Sequence, residues 1–138
     1  MNIMSEQVNE LFAALSKAQG EFRLVKKTAA NQFKSKYADL APFITETREI
    51  LCKYELTINQ CTIYHDGIIQ LVTILGHKSG QWIKGFFPII CGKKFPKECS
   101  KEREIGIINA RPYEYDSGQD IGSAITYARR YCLTSILN

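Results

Sequence analysis

Apolar residues recur every three or four positions in three segments of the chain, the spacing of helices that bury one face. The first segment follows Ser5, which we expect to cap it, and is predicted to end at Gly20. The second follows Asp39, another candidate cap, and tolerates Pro42 in its first turn. The third occupies 119–131. The predicted core-facing positions of the three helices are Val8, Leu11, Phe12, Leu15 and Ala18; Leu40, Phe43, Ile44, Thr47, Ile50, Leu51 and Tyr54; and Ile121, Ala124, Ile125, Ala128 and Cys132.

Between the second and third helices, short segments rich in Ile, Thr and Val have the pattern of strands separated by turn residues. The predicted strands and turns are, in order, strand 56–64, turn 65–67, strand 68–75, turn 77–80 and strand 81–87. In the third strand Trp82, Lys84 and Phe86 share one face, and Pro88 indicates an edge or an end. The pattern predicts a three-stranded antiparallel meander.

Two further stretches lack a clear period. Residues 21–38 are basic and are interpreted as an extended or partly mobile segment, whereas 91–118 are interpreted as a long loop. Ser117 and Asp120 have the spacing of a capping box, so we expect the last helix to open there. The order α-α-β-β-β-loop-α predicts one α+β domain over 1–138, with helices packed against one face of the sheet.

Charge is unevenly distributed along a chain of 138 residues with a net charge of +4. Two basic clusters stand out, Lys17, Arg23, Lys26, Lys27, Lys34 and Lys36, and Lys93, Lys94, Lys97, Lys101 and Arg103. Such segregation suits a groove that follows a polyanion, and two solvated loops are the alternative. No apolar run is long enough to span a bilayer and no signal peptide is evident, so we expect the protein to stay inside the cell.

Catalytic and metal chemistry find little support in the sequence. The five cysteines include no C-x-x-C pair, which favours reduced, mostly buried thiols over a disulfide or zinc framework. His65 and His77 lie in predicted turns without ligands at metal spacing, and no ATP-binding phosphate loop is present. We expect no catalytic residue, metal or cofactor. Acidic residues between Glu98 and Asp120 leave a metal-dependent nuclease as a minor alternative.

The last predicted helix carries a second stripe beside its apolar one. It consists of Ser123, Thr126, Tyr127 and Arg130, with Arg129 and Tyr131 on its flanks. Guanidinium, hydroxyl and aromatic groups on one rigid face suit a sugar-phosphate backbone and its bases. Tyr131 borders the apolar stripe and is expected in the core. Gly122 permits either close approach of DNA or a strand, or tight helix–sheet packing.

Two motifs carry a family resemblance. Residues 122–131, with Gln119 just before them, resemble the hallmark of the ERF (essential recombination function) family of phage and prophage single-strand annealing proteins, and 33–40 resemble its Lys-Tyr-Ala-Asp-Leu element. The resemblance implies ATP-independent binding and annealing of single-stranded DNA during homologous recombination in the cytoplasm of a bacterial host. It also implies a homo-oligomer, either ring or filament, and a fold similar to that of other ring-forming annealing proteins. A phage exonuclease and a host single-strand-binding protein are further candidate partners.

The candidate nucleic-acid-binding residues come from both motifs and from the basic clusters. They are Lys34, Lys36, Tyr37, Thr126, Tyr127, Arg129 and Arg130, with Lys26, Lys27, Lys93 and Lys94 as secondary contacts. We expect Arg130 to contact phosphate, and Arg129 either to do the same or to brace a neighbouring subunit. The alternatives are a module for RNA or duplex DNA, and a structural phage protein whose basic surface is incidental.

Overall fold

The computed structural model describes residues 2–32, 40–89 and 118–137, with side chains for all but 23–32 and 40–43. Its elements are α1 (Asn9–Gln32), α2 (Leu40–Lys53), β1 (Leu56–His65), β2 (Ile68–His77), β3 (Trp82–Pro88) and α3 (Gly118–Leu137). Three helices and one antiparallel sheet confirm the predicted α+β class. Within the described ranges, no helix combines the length and apolar character needed to cross a membrane.

The sheet is the predicted meander, in the order β1-β2-β3. The β1–β2 turn consists of Asp66 and Gly67, both with positive φ (50° and 77°). Asp and Gly tolerate that conformation, and its twist matches that of the flanking strands, so these two residues fix the register of the hairpin. Among the described strands β3 pairs with β2 alone, and it ends at Pro88, which confirms that proline's predicted place. All three strands lie within two residues of their predicted bounds.

The described helices bury their apolar faces against one face of the sheet. The main core cluster joins all three helices to β1 and β2 and consists of Leu11, Leu15, Ala18, Phe22, Leu51, Leu56, Leu75, Leu133 and Leu137. A smaller cluster of Leu71, Ile89 and Ala128 anchors the first half of α3. Ala128 is only 1% exposed, and Ala124, Ile125 and Cys132 pack around this cluster, which confirms the predicted apolar stripe of α3.

The prediction that the first helix ends at Gly20 is wrong, because α1 continues to Gln32. A glycine inside a helix costs only about 1 kcal/mol, and tertiary contacts just beyond it outweigh that cost. Phe22 is buried in the core. Glu21 accepts hydrogen bonds from Lys53 Nζ (2.6 Å) and Tyr54 Oη (2.5 Å) at the end of α2. Residues 21–32 of the segment interpreted as extended are therefore helical, while 33–38 lie outside the described residues.

Ser5 does not cap α1, contrary to prediction. Its Oγ accepts a hydrogen bond from the backbone N–H of Trp82 (3.0 Å) and lies 2.6 Å from the carbonyl of Gln7. The cap comes from Gln81, whose Oε1 accepts the backbone N–H groups of Glu10 (2.9 Å) and Leu11 (3.0 Å). Gln81 thereby satisfies two of the four donors that a helix start leaves without partners, and ties α1 to β3. The predicted caps Asp39 and Ser117 lie outside the described residues.

Residues before α1 add a short strand-like segment to β3. Met4 forms a bridge with Ile83. Ser5 N donates to the Trp82 carbonyl (2.9 Å), and Lys84 N donates to the Ile3 carbonyl (2.8 Å). These bonds occupy backbone groups of β3 that face away from β2.

Two burial predictions are wrong. Phe12, placed on the buried face of α1, is 46% exposed, because α1 packs along the line of Leu11, Leu15, Ala18 and Phe22. The thiols of Cys52 and Cys61 are exposed and that of Cys132 is partly buried; all three are free rather than bridged. Cys61 alternates onto the sheet face opposite the described helices, so no described helix covers it. Cys91 and Cys99 lie outside the described residues.

Candidate nucleic-acid interface

The polar stripe of α3 forms one surface, here called the outer face of α3. Its residues line a shallow recess of about 580 Å³ and are Gln119, Gly122, Ser123, Thr126, Tyr127 and Arg130. They share a face because helix positions three and four apart lie above one another. The smaller core cluster buries the opposite stripe of the helix and so directs these side chains outward. The predicted grouping of Thr126, Tyr127 and Arg130 is therefore confirmed in space.

Two tyrosines dominate this surface. The rings of Tyr127 and Tyr131 have centroids 4.4 Å apart and are tilted by 43°. Tyr127 is 59% exposed and Tyr131 41% exposed, so the expectation that Tyr131 belongs to the core is wrong. The two side chains lie one helical turn apart and pack on each other instead of on the sheet. Exposed aromatic faces of this kind can stack on nucleotide bases.

The ionisation of Tyr131 follows from the same pair. A hydrogen bond with Tyr127, followed by charge repulsion from it and by burial, raises the pKa of Tyr131 above its ordinary value of 10.0, although Arg130 opposes the shift. A tyrosine is already neutral at physiological pH, and the raised pKa of Tyr131 acts in the same direction.

Gly122 lies in the middle of the recess. A Cβ built on it would have no neighbouring atom within 4 Å. Tight packing of α3 on the sheet is therefore not the reason for a glycine here. What its missing side chain provides is open surface, bounded by Thr126, whose hydroxyl donates to the Gly122 carbonyl (3.0 Å).

Arg130 supplies the positive charge of the outer face. It is partly exposed, and its Nε is shielded from solvent without a hydrogen-bond partner in the described part of the chain. It also forms no ion pair with any described carboxylate. A guanidinium without an ion-pair partner can still donate its N–H groups to an incoming anion. A phosphate can accept two of these hydrogen bonds at once.

Arg129 lies on a different side of α3, in what we call the arginine groove. This groove of about 410 Å³ runs between α2, β1 and α3, and its lining includes Arg48, Leu51, Leu56, Asn59, Gln60 and Arg129. Arg129 Nε donates to Gln60 Oε1 (3.3 Å), and Gln60 Nε2 donates to the Arg129 carbonyl (3.1 Å). The two adjacent arginines, predicted as members of one site, are therefore divided between two surfaces.

Comparison with known families decides the identity of the chain. The sequence model of the ERF superfamily matches residues 11–138, which is nearly the whole chain. The chain belongs to the ERF superfamily. This confirms the resemblance carried by the two motifs, and membership supports a role in phage recombination and strand annealing. No curated protein and no solved structure matches the chain.

The remaining predicted contacts of this ERF protein are not tested by the structure. Lys26 and Lys27 fall within α1, but their side chains are outside the described part. Five further predicted contacts also lie outside the described residues: Lys34, Lys36, Tyr37, Lys93 and Lys94. Their roles stay predictions. Among the described residues, no group of three or more His, Cys, Asp or Glu side chains is placed to hold a metal ion.

The sequence pattern does not reveal two residues of the ERF protein's surface. Arg48 of α2 belongs to no motif, although it lines the same groove as Arg129. Gln60 has only the signal of a strand residue, yet it fixes the position of Arg129. The helical period of α2 could have predicted that Arg48 lies beside Thr47 and Leu51. It could not have predicted that Arg48 faces α3, because that position depends on how both helices pack over β1.

Proposed function

We propose that this ERF protein binds single-stranded DNA and anneals complementary strands without ATP during phage or prophage homologous recombination. Family membership supports the recombination role. The observation that carries the DNA-binding step is the outer face of α3, where Arg130, without a described ion-pair partner, adjoins two exposed tyrosines and an open glycine.

Annealing requires no covalent step from the protein. Two polyanionic strands have to approach each other with their base edges exposed, so the protein must neutralise phosphates without reading sequence. Arg130 contacts a phosphate, Ser123 donates to a backbone oxygen, and Tyr127 stacks on a base or a sugar, while Thr126, whose hydroxyl donates to Gly122, bounds the recess. The rigid helix holds the strand extended, which lowers the ordering entropy that pairing must overcome. In this scheme the protein is a binding protein and not an enzyme.

Oligomerisation strengthens such a site. One recess with one arginine binds weakly, but a ring or filament repeats it along a strand and raises the overall affinity without new contacts. We therefore include a homo-oligomer in the proposal, and a fold related to that of other ring-forming annealing proteins. A phage exonuclease that generates single strands and a host single-strand-binding protein are the candidate partners inside the host cell.

The test replaces Arg130 by glutamine. Loss of a charged hydrogen bond worth about 1.5–3 kcal/mol predicts roughly 10- to 100-fold weaker binding of a labelled single-stranded oligonucleotide, for all sequences alike. The slope of log affinity against log salt becomes less steep by about 0.7, because one phosphate fewer is neutralised. Fluorescence anisotropy over a salt series measures both quantities.

Lys17→Gln is the matched control, because it removes the same charge from an exposed position on α1. It is expected to bind nearly as the wild type does. Competition with RNA and duplex DNA then defines the preferred ligand. Equal binding by wild type and Arg130→Gln would refute the proposed role of the outer face, and sequence-selective loss would indicate base reading instead.

A further inference from the structure

The arginine groove has a charge pattern that the outer face of α3 does not explain. Arg48 on α2 and Arg129 on α3 both line it, and the described residues of its lining include no aspartate or glutamate. Neither arginine forms an ion pair with a described side chain. Two guanidinium groups around one concave surface, without a carboxylate between them, form a site for an anion.

The position of Arg129 is fixed before any ligand arrives. Gln60 Nε2 donates to the Arg129 carbonyl (3.1 Å) and to Thr73 Oγ1 (3.0 Å), while Gln60 Oε1 accepts from Arg129 Nε (3.3 Å). Thr73 is buried in the centre of the sheet, so this network ties Arg129 to the core. Because Nε is occupied, the two terminal Nη groups remain for a ligand. Less side-chain entropy is lost on binding than with a mobile arginine.

We propose that the arginine groove binds the phosphate backbone of the second DNA strand, while the outer face of α3 holds the first. This assignment rests on the proposed annealing function and adds to it a separate site for the incoming strand. Arg48 and Arg129 contact phosphates, and the partly exposed Ile44 and Ile58 of the lining pack against sugars.

The placement of the two sites fits two strands that are about to pair. Adjacent residues project about 100° apart around a helix, so Arg129 and Arg130 direct charge to different sides of α3. A helix with its side chains is about 10–12 Å across. The backbones of a duplex are separated by grooves about 6 and 12 Å wide, which is the same scale. One helix can therefore separate two backbones by a distance close to that of the product.

The shape of the groove favours an extended strand over a single inorganic anion. It follows the length of β1 from Leu56 to Gln60 and continues between two helices, so it is elongated. Its lining mixes apolar and polar side chains, and its two charges come from different helices, Arg48 from α2 and Arg129 from α3. An acidic segment of another protein is the competing occupant, and the experiment distinguishes it.

The experiment separates first-strand binding from second-strand capture. The intact protein is loaded with a donor-labelled strand, the acceptor-labelled complement is added in a stopped-flow instrument, and annealing is followed by energy transfer. The variants are Arg129→Gln, Arg48→Gln and their combination. Gln60→Glu is a second kind of variant, because it keeps Arg129 but sets a carboxylate against it. Lys17→Gln is the charge-matched control, and circular dichroism establishes that each variant is folded.

We expect the combined Arg48→Gln/Arg129→Gln variant and Gln60→Glu to bind the first strand within about 3-fold of wild type and to anneal at least 10-fold more slowly. Arg130→Gln, in contrast, is expected to bind the first strand roughly 10- to 100-fold more weakly. Wild-type annealing rates in the groove variants would overturn the assignment while leaving the proposed function intact. The assignment would also be overturned if the groove variants lost as much first-strand binding as Arg130→Gln does. A change of their oligomeric state in light scattering would overturn it too, because that result indicates that the groove binds a protein segment. Failure of the wild type to bind single strands would overturn both proposals.

Discussion

Replacing Gln81 by methionine tests how the first helix is held on the sheet. Gln81 is only 8% exposed, and its Oε1 accepts the N–H groups of Glu10 and Leu11 at 2.9 and 3.0 Å. Methionine keeps the length and volume of the side chain but has no comparable acceptor. Both backbone donors then lose their partner, and the Leu11 N–H is buried, so water cannot replace the bond.

The magnitude follows from those two bonds. Loss of a helix N-cap costs about 0.5–2 kcal/mol. A buried donor left without a partner costs about 1–3 kcal/mol. The two estimates overlap, since the Leu11 bond belongs to both, and we expect Gln81→Met to lower the free energy of unfolding by about 2–3 kcal/mol. Urea denaturation measures it, with Trp82, the single tryptophan of the chain, as the fluorescent reporter.

Gln81→Glu is the control for this prediction. It keeps an oxygen acceptor for both N–H groups, and its charge is favourable at a helix N-terminus. It loses only the Nε2 donor to Asn9 Oδ1 (3.1 Å), so we expect a change below about 1 kcal/mol at neutral pH. A Gln81→Met variant within about 0.5 kcal/mol of wild type would refute the capping argument. Equal destabilisation by both variants would assign the effect to packing.

Two further predictions concern pH and α3. Hydrogen bonds from Lys53 and Tyr54 lower the pKa of Glu21 below 4.5, and the same carboxylate raises the pKa of Lys53 above 10.5. Glu21→Gln should therefore lower the stability of the protein at pH values between the Glu21 pKa and the Lys53 pKa. The stability difference from wild type should disappear as the pH falls through the Glu21 pKa or rises through the Lys53 pKa. Thermal melts of both proteins across pH measure this difference. Gly122→Ala should stabilise α3 by up to about 1 kcal/mol and weaken DNA binding, and unchanged binding would show that DNA does not approach there.

Sequence patterns correctly predicted the parts of the fold that depend on residues close together along the chain. The apolar stripe through Ala124 and Ala128 follows from helical period alone, and the hairpin at Asp66 and Gly67 follows from turn chemistry. The grouping of the outer face of α3 is also a consequence of period. Each of these features depends on residues that are close neighbours along the chain.

Other features depend on residues that meet only in the folded chain. The continuation of α1 past Gly20 relies on Lys53 and Tyr54, and its cap comes from Gln81, 70 positions beyond Leu11. No pattern near the start of α1 indicates either contact. The fixed position of the Arg129 side chain in the arginine groove likewise depends on Gln60, whose partner in β2 holds it in place.

The hydrogen bonds from Ile3 and Ser5 to β3 limit how subunits can be joined. A ring built by continuing one sheet into the next would need head-to-tail pairing of β1 from one subunit with β3 of its neighbour. At β3 the outward N–H and carbonyl of Trp82 and the N–H of Lys84 are already used, and Pro88 has no N–H to offer. Direct pairing of a neighbouring strand with β3 along Trp82 and Lys84 would therefore require displacement of Ile3 and Ser5.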